Sequence, residues 1–174
     1  MDDDAVVAAQ LGRPLRSAAD VVLRCHLVLP VVVRVPPLLD DGTPFPTRYW
    51  LTCPLARRRI GRLESAGGVR AMDREIAADP SFAARFGAAG RRYAAERDAL
   101  LGPDDGRPRP SGGVGGSGGG VKCLHAHYAH LAAGGDNPVG ELVAPWVEPL
   151  DCEQPCIVEE GGRAVANPAW REPS

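Results

Sequence analysis

The stretch "ADVVLRCHLVLPVVVRVPPLL", Ala19 to Leu39, decides the fold class. It is dense in valine and leucine, which favour strands, and Pro30 divides it into two pieces of strand length because proline interrupts a hydrogen-bonded ladder. The turn-forming "DDGTPFPT" follows, and "RYWLTC", 48–53, then has the composition of a third strand. Three extended segments so close in sequence predict a small antiparallel sheet.

Outside this strand-rich region the apolar residues recur with the spacing of helices. Proline is accepted in the first turn of a helix and glycine is common just after its end, so these residues set most of the boundaries. The predicted helices cover 2–12, 54–67, 69–79, 80–101, 121–134 and 138–147. Phe82, Phe86 and Tyr93 are the expected buried rings. The sequence therefore predicts an α+β fold, in which a small N-terminal antiparallel sheet packs against several helices.

The chain is predicted to form one domain with less regular ends. Residues 1–18 are an N-terminal helix or arm, 19–147 form the main domain, and 148–174 are a tail that either forms a hairpin over Gly161–Gly162 or frays. Residues 102–120 are rich in glycine and proline and have almost nothing to bury, which predicts a flexible linker. A C-terminal helix that contains cysteine and histidine then docks near the sheet.

Charge and composition restrict the classes of partner. The net charge of −2 gives no general attraction to nucleic acid or to an anionic membrane. The start "MDDDAVVAAQLGRPL" lacks the features of a signal peptide, and no apolar run reaches the about 18 residues of a membrane span. We therefore expect a cytoplasmic protein with no membrane partner, for which nucleic-acid binding is not expected. Its five cysteines are then expected to be reduced thiols or metal ligands.

The segment "GVKCLHAHYAHLA", 120–132, holds one cysteine and three of the chain's four histidines. At about 100° per helical residue, Cys123, His127 and His130 share one face and His125 points to the opposite side. If Cys123 instead precedes the first helical turn, its side chain and that of His125 can converge. The spacing leaves both arrangements open.

Several motifs together resemble a known family. The order "DGTPFPTRYWLTCP", "RLESAG", "GVKCLHAHYAHLA" and "NPVG" is similar to DUF501, a bacterial and largely actinobacterial family of unknown function, over Ala19 to Gly140. The resemblance implies an uncharacterised protein with no established activity. Genes of this family often lie near those for an exopolyphosphatase-type phosphatase and a septum-formation initiator. An interaction module linked to phosphatase or cell-division proteins is therefore one expectation.

The leading hypothesis is a metal site, with zinc as the expected ion. Thiolate and imidazole are the ligands that zinc prefers, and a closed structural site needs four. The resemblance implies that four of the chain's residues fall in steadier positions of the family and that His127 varies. Those four, the primary candidate ligands, are Cys25, Cys123, His125 and His130. The secondary candidates are Cys53, His127, Cys152 and Cys156.

A second hypothesis makes Cys123 a nucleophile, with His125 or His130 as its base, in the transfer or hydrolysis of a phosphoryl or acyl group. A thiol at a helix N-terminus beside an imidazole has a lowered pKa. No orienting group can be assigned from spacing, although Asp136 and Asn137 are near in the sequence.

A third hypothesis is anion binding at the start of the same helix. "GGSGGGVK", 115–122, superficially resembles a phosphate loop, but Val121 separates Gly120 from Lys122 and no strand precedes the glycines. A flexible tether explains the glycines better. The N–H groups of the first turn, together with Lys122, remain the candidate anion site.

Overall fold

A computed structural model describes residues 1–173 of the 174-residue chain. Its helices are α1 (Asp3–Leu11), α2 (Pro54–Ser65), α3 (Gly68–Ala78), α4 (Pro80–Asp98), α5 (Leu124–Ala132) and α6 (Pro138–Val147). Its strands are β1 (Asp20–Arg24), β2 (Pro30–Arg34), β3 (Tyr49–Leu51), β4 (Ile157–Glu160) and β5 (Arg163–Ala166). Strands β1 to β3 form an antiparallel sheet with β2 in the centre, and β4 pairs with β5 in a separate hairpin. The predicted α+β fold is confirmed.

Strand β2 lies at the centre of the fold because helices pack on both faces of its sheet. Val31 and Val32 belong to the main core, together with buried residues of α2, α5 and α6. Val33 packs with Val7 of α1 in a second cluster. Pro30, which was expected to separate two strands, is the first residue of β2, a position where a strand tolerates proline.

Most helix boundaries follow the proline and cap residues of the sequence. Helices α2, α4 and α6 each begin at a proline, and the side chains of Asp79 and Asn137 cap α4 and α6. Of the three predicted buried rings, Tyr93 is fully buried, whereas Phe82 and Phe86 are half-buried. Within residues 1–173, no helix is both long enough and apolar enough to cross a membrane.

Helix α5, which carries the histidines, begins later than its periodicity predicts. Cys123 is extended, with φ of −157°, and the N–H of Leu124 donates to the carboxylate of Glu64 at 2.6 Å. The N–H of Val121 likewise donates to Asp73 at 2.9 Å. Carboxylates from α2 and α3 therefore satisfy the amides at this end, so the chain enters the helix only at Leu124. The predicted helix is too long at its N-terminal end.

The second half of the predicted linker, 102–120, packs against α4. The Arg97 side chain is only 2% exposed, and its guanidinium donates to the carbonyls of Ser111 and Gly112 at 3.4 and 2.7 Å. Val114 is buried beside Tyr93. The flexibility of the linker stays a prediction.

The C-terminal segment folds back on the protein through the β4–β5 hairpin. Its turn is Gly161–Gly162, with φ of 57° and 74°, so the hairpin that was one of two predictions for this segment is confirmed. The hairpin contacts α1. Arg59 of α2 donates to the carbonyls of Val147 and Pro149 at 2.7 and 2.6 Å. These bonds hold the start of the C-terminal segment against α2.

The hydroxyl group of Tyr93 joins β3 to α4, which gives the first prediction. It accepts hydrogen bonds from the backbone N–H groups of Arg48 and Tyr49. Tyr93→Phe leaves these amides without their partner and should lower the free energy of unfolding by about 1–3 kcal/mol. Urea denaturation measures the change.

Tyr49→Phe is the matched control for Tyr93→Phe. The Tyr49 hydroxyl donates to Glu96 at 3.4 Å in an exposed position, so its loss should cost less than about 0.5 kcal/mol. An equal loss of stability in both variants would contradict the role of Tyr93.

Candidate functional site

The four primary metal candidates are distributed over different parts of the fold. Cys25 packs with Leu29 and Ile157, whereas Cys123 packs against the cluster of Tyr93 and Val114. Among the residues that the structure describes, no group of three or more His, Cys, Asp and Glu side chains could hold a metal ion as they stand. A site formed by the primary set is therefore unconfirmed.

His125 contacts residues of α2 at the start of α5, and Cys123 is partly buried beside it. The Nδ1 atom of His125 lies 3.2 Å from the Glu64 carboxylate, and its Nε2 atom lies 3.2 Å from the carbonyl of Arg57. Burial raises the pKa of the Cys123 thiol, which disfavours the thiolate that a nucleophile needs. Lys122, the anion candidate, is exposed.

A buried amide connects the other two histidines of α5. Asn137 is 0% exposed, and its Oδ1 accepts from the N–H of Gly140 at 3.0 Å. The same oxygen lies 3.0 Å from Nδ1 of His127, and the amide nitrogen lies 3.1 Å from Nδ1 of His130. The cap of α6 therefore also holds both imidazoles.

These contacts assign the protons on both rings. Because the N–H of Gly140 can only donate, the atom of Asn137 that faces it must be the oxygen. His127 then donates through Nδ1 to that oxygen, and His130 accepts at Nδ1 from the amide nitrogen. In the neutral ring of His127 the lone pair is on Nε2, and this buried atom has no hydrogen-bond partner in the part of the chain described.

Burial keeps both histidines neutral near pH 7. It is the main cause that lowers the pKa of His127 and lowers that of His130 to about 4. The ring of His130 also packs against Tyr49 and Tyr93, with centroids 5.7 and 5.0 Å away. His130 is therefore a core residue, whereas His127 retains a free acceptor.

The four cysteines other than Cys123 line one small cavity of about 10 Å³. They are Cys25, Cys53, Cys152 and Cys156. All are free thiols. Cys25 belongs to the primary candidate set, and the other three were secondary candidates.

Different elements bring these thiols to the cavity. Cys25 follows β1, in the turn that leads to β2, and Cys53 is the residue before α2. Cys152 and Cys156 lie between α6 and β4, outside regular secondary structure. The carbonyl of Cys152 lies 2.9 Å from Nε2 of His26, which joins this segment to the β1–β2 turn. Tertiary contacts, and not a spacing motif, therefore bring the cysteines together.

Two N–H groups are directed at the sulfur atoms. The indole Nε1 of Trp170 lies 3.4 Å from Sγ of Cys152, and Nε2 of Gln10 lies 3.6 Å from Sγ of Cys156. Both nitrogens can only donate, so both sulfurs are acceptors. Sequence analysis missed Trp170 and Gln10, because nothing in their local sequence connects them to cysteines far along the chain.

Comparison with known proteins gives one match. A family model described as "Protein of unknown function (DUF501)" matches residues 21–145, which is more than half of the chain. No protein with a curated description and no solved structure was found to match. Cys25 and Cys53 lie inside the matched range, and Cys152 and Cys156 lie beyond it.

The buried state of His130 predicts a pH dependence of stability. The unfolded chain binds a proton at this histidine below about pH 6.5, whereas the folded protein does so only at about pH 4. The free energy of unfolding should therefore fall with decreasing pH across this interval, with His130 contributing about 3 kcal/mol to the decrease. Denaturant unfolding between pH 7 and pH 4 measures it.

One variant separates this effect from the protonation of carboxylates. His130→Gln should give a shallower pH dependence than the parent protein. The same slope in the parent and in His130→Gln would contradict the assignment.

Proposed function

The chain belongs to the DUF501 family of proteins of unknown function, and we propose that it binds a zinc ion through the four cysteines of the shared cavity. The observation that carries the proposal is that four of the five cysteines of the chain line this single cavity. Four thiolates are a complete ligand set for a closed zinc site, and thiolate ligands favour zinc among the common divalent ions. The ligands proposed are Cys25, Cys53, Cys152 and Cys156.

The size of the cavity suits an ion more than an organic ligand. Its volume of about 10 Å³ is close to the space that one water molecule occupies. Single buried cysteines commonly act as small apolar residues. Four of them around one such space are better explained by a shared ligand.

Because no group of three or more Cys, His, Asp or Glu side chains among the described residues could hold a metal ion as they stand, binding requires the four sulfur atoms to move closer together. A Zn–S distance of about 2.3 Å places the sulfurs of a tetrahedral site about 3.8 Å apart. Cys53 is fixed by its position at the start of α2. Cys152 and Cys156 lie in a segment without helix or strand, which adjusts at lower cost than a packed element. We therefore expect residues 150–156 to close onto the ion.

The donors around the cavity suit thiolate ligands. Trp170 and Gln10 present N–H groups to Cys152 and Cys156. Hydrogen bonds of this kind stabilise negative charge on coordinating sulfur and orient the ligand. Gln10 is itself held by a second hydrogen bond, to the carbonyl of Pro30 at 2.9 Å. These contacts support thiolates at both positions.

Metal binding has to displace protons from the thiols. Burial raises the pKa of Cys53 to about 11 and also raises that of Cys156. Without a cation these two thiols are therefore protonated at neutral pH, and zinc affinity should increase with pH. The ion would join the β1–β2 turn, the start of α2 and the C-terminal segment. We propose this cross-link as the role of the site.

Elemental analysis of the untagged protein, purified under reducing conditions, tests the proposal. The parent protein should carry about one zinc ion per chain. Cys53→Ser and Cys152→Ser should each lose most of this zinc, because a serine hydroxyl is a poor ligand for zinc at neutral pH.

Cys123→Ser is the matched control, because this fifth cysteine lies outside the cavity. It should retain the zinc content of the parent protein. Loss of zinc in Cys123→Ser, with retention in Cys53→Ser, would instead favour the primary set of Cys25, Cys123, His125 and His130. A parent protein that remains free of zinc after incubation with excess zinc would refute the proposed function.

A further inference from the structure

A groove of about 470 Å³ lies between α4 and the glycine-rich residues 110–119. Helix α4 contributes Gly87 and Gly90 to it. A Cβ atom at Gly113 would lie 3.2 Å from the Cα atom of Gly90, so the two backbones approach closely beside the groove. Its volume falls in the range of small-molecule sites. It shares no lining residue with the thiol cavity.

His127 provides the buried polar group of this groove. It is 1% exposed, lines the groove and stacks on Phe86, with ring centroids 5.7 Å apart. Because Asn137 fixes the proton on Nδ1, the free Nε2 atom is a hydrogen-bond acceptor. A buried acceptor without a partner indicates that a donor from another molecule belongs there. A hydroxyl group meets this requirement, whereas a bare phosphate oxygen does not.

Arg91 provides the positive charge at the edge of the groove. Its side chain is exposed and extends past Gly87, where a Cβ atom would lie 3.3 Å from Nη1. Arg92 forms an ion pair with Asp136, and Arg97 is engaged by two carbonyls and by Asp98. No such ion pair involves Arg91 within residues 1–173. Its guanidinium is therefore available to an anionic ligand.

We propose that the groove binds a phosphorylated sugar, with a sugar hydroxyl donating to Nε2 of His127 and the phosphate paired with Arg91. A hydroxyl group and an anion on one small molecule match the two groups that the groove presents. The hydroxyl of Ser117, which also lines the groove, is a further hydrogen-bonding group for the sugar. The function assigned is binding.

Ribose 5-phosphate is the probe, and the ring nitrogens of ¹⁵N-labelled histidine report on it. The Nε2 resonance of His127 should shift and saturate with ribose 5-phosphate. Ribose, which lacks the anionic group, and inorganic phosphate, which lacks the sugar hydroxyls, should bind at least about tenfold more weakly. Arg91→Gln should weaken binding of ribose 5-phosphate by a similar factor.

Gly87→Leu tests whether binding occurs in the groove. Apart from the neighbouring backbone of its own helix, a Cβ at this position meets only the end of the long Arg91 side chain within 4 Å, so the variant should fold and fill the groove. It should abolish the shift of His127. Gly61→Leu, in helix α2 and with nothing within 4 Å, controls for replacing a helical glycine and should bind like the parent protein.

Three results would overturn the proposal. One is a His127 resonance that does not respond to ribose 5-phosphate, and another is an equal response in Gly87→Leu. The third is inorganic phosphate binding as tightly as ribose 5-phosphate, which would remove the role of the hydroxyl group. None of these results depends on zinc, so the groove and the proposed metal site fail or succeed separately.

Discussion

A polar group that is removed from water needs a hydrogen-bond partner inside the protein. The structure depends most on this requirement at the buried side chain of Asn137. One buried amide caps α6 at Gly140 and binds the imidazoles of His127 and His130. It thereby fixes the packing of α6 on α5, and α5 in turn contacts β3 of the sheet. Without this amide, both histidines would be buried without a partner on Nδ1.

Within residues 1–173, the buried side-chain polar atoms that have no hydrogen-bond partner lie at the two proposed sites. In the part of the chain described, two buried side-chain atoms have no partner, Oε1 of Gln10 and Nε2 of His127. Gln10 lines the thiol cavity and His127 lines the groove beside α4. A protein bears the cost of an unsatisfied buried atom most readily where a ligand or a conformational change satisfies it.

Patterns among neighbouring residues predict the helices and strands of this fold. They do not predict that four distant cysteines line one cavity. The valine-rich strands, the prolines that begin α2, α4 and α6, and the cap residue Asn137 are all properties of neighbouring residues. The start of α5 depends instead on Glu64, which is distant in sequence. The cavity depends in the same way on Arg59 and His26, which hold the C-terminal segment in place. Spacing within 120–132 therefore drew attention to Cys123, the one cysteine that does not line the cavity.

The ligand shell of the bound metal tests the central claim most directly, since the claim is that one ion joins four thiolates from separate parts of the chain. X-ray absorption spectroscopy at the zinc edge, on the zinc-loaded protein, counts the neighbours of the ion and identifies them as sulfur or as nitrogen and oxygen. Four sulfur neighbours at about 2.3 Å are expected. A shell with fewer sulfurs and with nitrogen or oxygen near about 2.0 Å would contradict the four-cysteine site. Nitrogen neighbours would indicate that histidines of α5 are ligands instead.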